Sequence, residues 1–283
     1  MQQEKGVRRQ VSLFMETVVP WQTVSSLSWL LSGLLCGVAN TYQRGFGILL
    51  STLLLVRFYG MCWNRFIDWK VDARNPRTAM RALPSGRVSE QEMALYCLGC
   101  LAALWYCSSF LPPVGKLFIS VALCAITLYP FLKRVTVLCH LFLGGIYALV
   151  PLAGALFQYR LLSISSLFLG VSACCGVAAA DIVYAIWDIE SDRQLDLHSI
   201  PARYGETRAI QMAALLYLIA SGALLGSCLL LGVPVVLLVF WALFGICFLR
   251  GTGEDKRFGR LLLFLPFSSL TLLVLNRIWI VLL

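Results

Sequence analysis

The chain has 283 residues, of which 59% are hydrophobic and 13% charged, and its mean hydropathy is +0.81. A soluble domain carries about 25% charged residues, so this composition excludes an ordinary water-soluble domain and points to a polytopic membrane protein. The formal net charge of +9 would suit nucleic acid, but the loops account for it in another way.

In chain order, the first stretch is MQQEKGVRRQVSLFMETVVPW, with the basic start of a signal peptide. Glu16 and Pro20 interrupt any apolar core and no small-residue cleavage site follows, so residues 1–19 are read as a cytosolic lead-in. A bilayer is crossed by about 20 apolar residues. By that ruler nine helices are predicted, at 20–39, 45–67, 91–111, 114–131, 136–157, 164–187, 209–231, 233–249 and 261–282. With the N-terminus inside, 18 of the 23 Lys and Arg residues fall in cytosolic segments. Arg44, Lys116 and Arg160 fall outside, and Arg57 and Arg277 lie within spans. That bias is the positive-inside signature, and it leaves no need for nucleic acid as a partner. The 11 cysteines lie mostly in apolar runs and read as small hydrophobes. The Cys97–Cys100 spacing has no second pair in a polar loop, so no disulfide framework is implied. Gly33 and Gly37 form a GxxxG expected to pack inside the bundle.

The second predicted helix leads into NRFIDWKVDARNPRTAMRALPSG, residues 64–86. Asn64, Asp68 and Asp72 stand at i, i+4 and i+8 and share one helix face. Their oxygens suit a hard divalent cation, Mg²⁺ first. Solvated acids at a helix end are the other reading of the spacing. Arg74, Arg77, Arg81 and Arg87 follow. A second acidic cluster ends the sixth helix: Asp181, Asp188, Glu190, Asp192 and Asp196, with Asp188 and Asp192 again at i, i+4. Each cluster follows an apolar helix and precedes a proline-containing segment, which resembles a weak internal repeat of two halves around a central cavity. A charge at a helix centre costs about 2.5–3.5 kcal/mol on insertion scales, so Asp181 and Arg57 are expected to face that cavity.

Two carboxylate pairs could hold Mg²⁺ ions, and neighbouring guanidinium groups could hold a diphosphate. A cavity walled by aromatic and aliphatic side chains suits an apolar tail, and its ring faces would shield an allylic cation from water. A divalent-cation transporter also needs intramembrane acids and remains the alternative of a different class. The single D-G-x-x-A-R…G-x-x-x-D-x-x-x-D run of CDP-alcohol phosphotransferases is absent.

NRFIDWKVD resembles the NxxxDxxxD motif of the UbiA superfamily of membrane-embedded aromatic prenyltransferases. DIVYAIWDIESD is similar to that family's second motif, DxxxD at Asp188 and Asp192, preceded by Asp181 and Tyr184. Between them, YPFLKRVT from Tyr129 to Thr136 resembles its Y-P-x-x-K-R segment. The resemblance spans nearly the whole chain as a single domain, 1–283, and implies an all-α integral membrane enzyme using Mg²⁺, with two pseudo-repeated halves around the cavity. It implies that Asn64, Asp68, Asp72, Asp188 and Asp192 hold the metal, the four aspartates being catalytic. Lys70, Arg77, Lys133, Arg134 and Arg203 would contact diphosphate, and Tyr129, Asp181 and Tyr184 would line the acceptor pocket. The implied reaction moves a polyprenyl group from polyprenyl diphosphate to an aromatic acid in quinone synthesis, at a site opening to the cytosolic side of the inner membrane. The acceptor expected is 4-hydroxybenzoate, with a dihydroxynaphthoate of a menaquinone pathway as the runner-up. One departure stands out: the family commonly has Arg directly after the middle Asp, where this chain has Trp69 followed by Lys70. His198 is expected to pack its loop, and His140 to be a satisfied helix histidine.

Overall fold

The computed structural model describes residues 13, 14, 16, 20–36, 45–239, 267–276 and 278, and among these there is helix but no strand. Nine helices are numbered here in chain order: α1 (Pro20–Leu35), α2 (Phe46–Asp72), α3 (Glu90–Ser109), α4 (Pro113–Leu132), α5 (Cys139–Tyr159), α6 (Ile164–Ala185), α7 (Ile189–Gln194), α8 (Ile200–Tyr204) and α9 (Glu206–Leu230). A 3₁₀ turn, Ile186–Asp188, joins α6 to α7. A tenth helix, α10, covers Phe267–Asn276.

Five segments among the described residues are long and apolar enough to cross a membrane: α2, α4, α5, Ile164–Gln194 and α9. Nine spans were expected. Of the other four, α1 has only 16 residues and α3 opens on Glu90 and Glu92, while the predicted 233–249 and 261–282 lie partly outside the described residues. The lead-in orientation and Gly37 lie outside them too.

Local chemistry explains the helix ends. Ser89 closes a capping box on α3: its Oγ accepts from the Glu92 amide at 3.2 Å, and the Glu92 carboxylate accepts from the Ser89 amide at 2.8 Å. Ser163 caps α6 and Ser199 caps α8 by the side-chain half alone, accepting from the Ser166 and Ala202 amides. The helix carrying the first motif ends at Asp72, five residues beyond the predicted boundary, so Asn64, Asp68 and Asp72 all sit on one continuous helix.

Packing in the first half of the chain depends on close approach. A Cβ on Gly33 of α1 would lie 2.0 Å from the Pro151 carbonyl oxygen of α5, and one on Gly154 would lie 2.4 Å from the Leu30 carbonyl oxygen. Without a hydrophobic drive between helices in lipid, small residues let backbones meet and gain dispersion contacts. Gly33 packs internally, as the sequence suggested. Polar cross-links between helices add to this, including Ser32 with Ser269 at 2.7 Å and the Ser227 hydroxyl donating to the Ser165 carbonyl at 2.9 Å.

Candidate active site

A cavity of about 1100 Å³ runs between α2, α4, α5 and α6. Its wall follows α5 from Cys139 to Phe157 and the adjoining Arg160, and α2 from Ile48 to Asp72. One end is apolar, with Phe110, Leu111, Val114, Phe118, Leu156 and Phe157; the other is charged. The charged end is where α2, the loop after it, the end of α4 and the segment after α6 converge.

At the end of α2, Asp72 is gripped by Arg81, whose Nη1 donates to both carboxylate oxygens at 2.7 and 2.8 Å, with Arg65 3.7 Å away. The Thr78 hydroxyl donates to the Asp72 carbonyl at 2.9 Å and folds the loop back over the helix end. Asp68 is buried and turned toward Lys133 Nζ, which donates to it, and Arg134, 3.3 Å away. Burial works against the Lys133 charge, but the Asp68 carboxylate outweighs it and holds the ammonium above its ordinary range.

The second motif is tied to the first. Arg77 reaches Asp188 with Nε at 2.9 Å and with a second donor, and also donates to the Tyr184 hydroxyl. Its guanidinium carbon sits 4.3 Å from the Tyr184 ring centroid. Burial opposes its charge, yet the hydrogen bonds to Asp188 and the Tyr184 oxygen hold Arg77 above its ordinary value. Asn75 Nδ2 donates to the same Asp188 oxygen at 2.6 Å. Asp192 accepts from the Ser199 hydroxyl at 2.6 Å. The carbonyl of Lys133 accepts from the His198 amide at 2.7 Å, joining the α4 end to the second motif's loop.

The cavity wall therefore gathers Asn64, Asp72, Arg77, Tyr129, Lys133, Asp181, Tyr184, Asp188 and Asp192. Asp68, Arg134, Lys70 and Arg203 are not on it. Asp68 and Arg134 stand behind Lys133, Lys70 is exposed with Nζ 5.4 Å from the Trp69 ring centroid, and Arg203 is exposed on α8. Trp69 packs beside a buried cluster that includes Tyr59, Cys62 and Met93. The sequence assigned no role at the site to Asn75, Arg65 or Ser199, and Arg81 only as one of the run of arginines that could hold a diphosphate. Arg81 carried a signal in its position within the arginine run, whereas Asn75 and Ser199 carried none apart from their loops.

Among the described residues, no three His, Cys, Asp or Glu side chains converge closely enough to hold a metal ion. Asp68, Asp72 and Asp188 each have their own cation and Asp192 has a hydroxyl. Asn64 differs: its Oδ1 is buried without a hydrogen-bond partner, and the residue is on the cavity wall. A buried acceptor left unpaired is costly, and a hard cation is one group that satisfies it. The oxygen donors present fit Mg²⁺.

Comparison with known proteins defines the class. Residues 23–275 match the UbiA prenyltransferase family. The chain belongs to that family and is a transferase enzyme. It is 29% identical over 204 residues to the 4-hydroxybenzoate octaprenyltransferase of Shewanella frigidimarina, a match covering 70% of this chain and 71% of that protein. A DMOA farnesyltransferase of Aspergillus novofumigatus is 29% identical over 215 residues, covering 74% of this chain and 68% of the fungal one. Among solved structures, a UbiA homolog from Aeropyrum pernix K1 superposes with a TM-score of 0.77 at 24% identity, covering 90% of this chain and 98% of the homolog. A homolog from Archaeoglobus fulgidus bound to DMAPP and Mg²⁺ superposes with a TM-score of 0.66 at 17% identity, covering 92% and 99%.

Proposed function

We propose that the protein transfers a polyprenyl group from polyprenyl diphosphate to a ring carbon of an aromatic acid, 4-hydroxybenzoate first, in quinone synthesis. One observation carries the reading: a cavity has carboxylates and guanidiniums at one end and a mostly apolar limb along α5 from Leu143 to Phe157. The allylic C–O bond breaks with its electron pair leaving on diphosphate, a C–C bond forms to the acceptor ring, and the ring carbon gives up its proton. Arg77, Arg81 and Lys133 take up the charge of the leaving diphosphate. For Arg77 and Arg81 this means exchanging Asp188 and Asp72 for phosphate oxygens, a partner equally suited to a planar guanidinium. Tyr129 and Tyr184 offer ring faces at the charged end, and the aliphatic wall excludes water.

Mg²⁺, when bound by Asn64, Asp68, Asp72, Asp188 and Asp192, supplies positive charge to the departing group. The Mg²⁺ and DMAPP in the Archaeoglobus homolog support that assignment, and the Shewanella relative's name supports the acceptor. The whole chain acts as one domain of two halves whose motif loops meet at the cavity mouth. The positive-inside bias of the loops supports a mouth on the cytosolic side of the membrane.

The test is product formation, read by mass, in membranes carrying the protein with a fixed polyprenyl diphosphate. The acceptors compared are 4-hydroxybenzoate, a dihydroxynaphthoate and DMOA, the last named for the fungal relative. Prenylated 4-hydroxybenzoate is expected, and Asp68→Asn or Asp192→Asn abolishes Mg²⁺-dependent turnover without loss of insertion. Full activity in both variants would sink the metal assignment. Metal-ion transport by proteoliposomes without any prenylated product would replace the enzyme by a transporter.

A further inference from the structure

His140 stands on α5 facing the cavity and is almost fully buried, and neither of its ring nitrogens is idle. Nδ1 lies 2.7 Å from Asp181 Oδ2 on α6. Nε2 accepts the backbone N–H of Ile200 at 3.2 Å. A nitrogen that accepts carries no proton, so the hydrogen bond from Ile200 places the imidazole proton on Nδ1, directed at the carboxylate. Ile200 is the first residue of α8, and the preceding Ser199 both caps that helix and donates to Asp192 at 2.6 Å. One imidazole thus bridges the wall residue Asp181 and the segment that carries the second acidic motif.

We propose that His140 is a positioning residue that sets the direction of the Asp181 carboxylate for the aromatic acceptor. The inference rests on the prenyl transfer proposed above. His140 touches no reacting atom in this scheme. It acts through Asp181, whose side chain is 23% exposed while His140 is 4% exposed, so the carboxylate is the more open of the two to the cavity. A carboxylate held by one donor on a neighbouring helix has a fixed direction. Without that donor it rotates about its own χ angles, and the acceptor meets a range of orientations.

The experiment is a steady-state comparison of wild type, His140→Gln, His140→Phe and His140→Met in purified, detergent-solubilised protein of matched melting temperature. Glutamine can reproduce both contacts, its amide N–H donating to Asp181 and its carbonyl oxygen accepting from Ile200. Phenylalanine and methionine keep bulk and supply neither; methionine serves if phenylalanine does not accumulate. Loss of a hydrogen bond to a charged group predicts about a tenfold rise in acceptor KM for Phe or Met. The KM for polyprenyl diphosphate should stay within about twofold, and Gln should return acceptor KM to within about threefold of wild type. An unchanged acceptor KM in Phe or Met overturns the proposal, as does a parallel rise for both substrates or a Gln variant that rescues nothing. In an Asp181→Ala background, which removes the acceptor of the His140 hydrogen bond, the acceptor penalty of His140→Phe should vanish, because coupled residues are not additive; a full additive penalty would show that His140 acts elsewhere. If wild type itself prenylates no acceptor, the functional reading fails, and the positioning role falls with it.

Discussion

Arg77 makes the most partner contacts at the charged mouth, and its chemistry allows a sharp test. Its planar fork reaches Asp188 through two donors while another meets the Tyr184 hydroxyl. Lysine offers a point charge without that geometry. Arg77→Ala and Arg77→Lys should therefore both raise the KM for polyprenyl diphosphate by about 10–100-fold, the range expected for hydrogen bonds to a charged group; recovery by Lys would contradict the two-point grip. Lys133 gives a prediction about pH. Its folded value is raised above 10.5, so its pairing with Asp68 is intact below that pH and is lost only as pH climbs through the raised value. Lys133→Arg, always charged, should then give a pH–kcat/KM profile with the wild-type shape between about pH 6 and 9; a basic limb that disappears in the variant would refute this. At this scale the acidic residues and Arg77 were legible, because motif spacing on a helix face is a sequence property. The partners Asn75 and Ser199 were not, since a loop's path depends on tertiary contacts such as Thr78 to the Asp72 carbonyl. Lys70 shows the converse: its place beside the motif suggested phosphate, but helix rotation turns it out to the Trp69 ring.

Two elements carry the scaffold's own predictions. Ser89→Ala removes the α3 cap and should cost about 1 kcal/mol, read as a melting temperature lower by a few degrees with turnover unchanged. Gly33→Val is harsher, because the new side chain meets Pro151 backbone that cannot move aside. Separation of α1 from α5 should cost about 1–3 kcal/mol or more, as overpacking does, and should show in the same melt as a shift up to about three times that of Ser89→Ala or larger. Hydropathy marked α2, α4, α5, α6 and α9 to within a few residues because lipid imposes a length. It placed the end of α2 too early, since Asp68, Lys70 and Asp72 end the apolar run before they end the helix. The Ser-capped starts of α3 and α6 agree with the predicted boundaries to one residue.

For the molecule as a whole, the length of the cavity decides what it can hold. From Cys139 to Arg160 the wall follows about 30 Å of helix, close to the thickness of a bilayer's hydrocarbon core. Ala153, on that wall about 20 Å along α5 from His140, is a point at which the apolar limb can be closed. Ala153→Trp should depress kcat/KM for a long polyprenyl diphosphate by at least about tenfold while sparing a five-carbon donor, an overpacking effect confined to the limb; equal losses for both chain lengths would place the tail elsewhere. The pairing of Asp68 with Lys133 bears on how such a chain is made. The two residues are 65 positions apart, and synthesis at about 5–20 residues per second separates them by roughly 3 to 13 s. Through that interval the nascent α2 offers a carboxylate whose final counter-ion has not yet left the ribosome. A chain halted after α3 would hold Asp72 already matched by Arg81 and Arg65 but would leave the Asp68 carboxylate without Lys133 and Arg134.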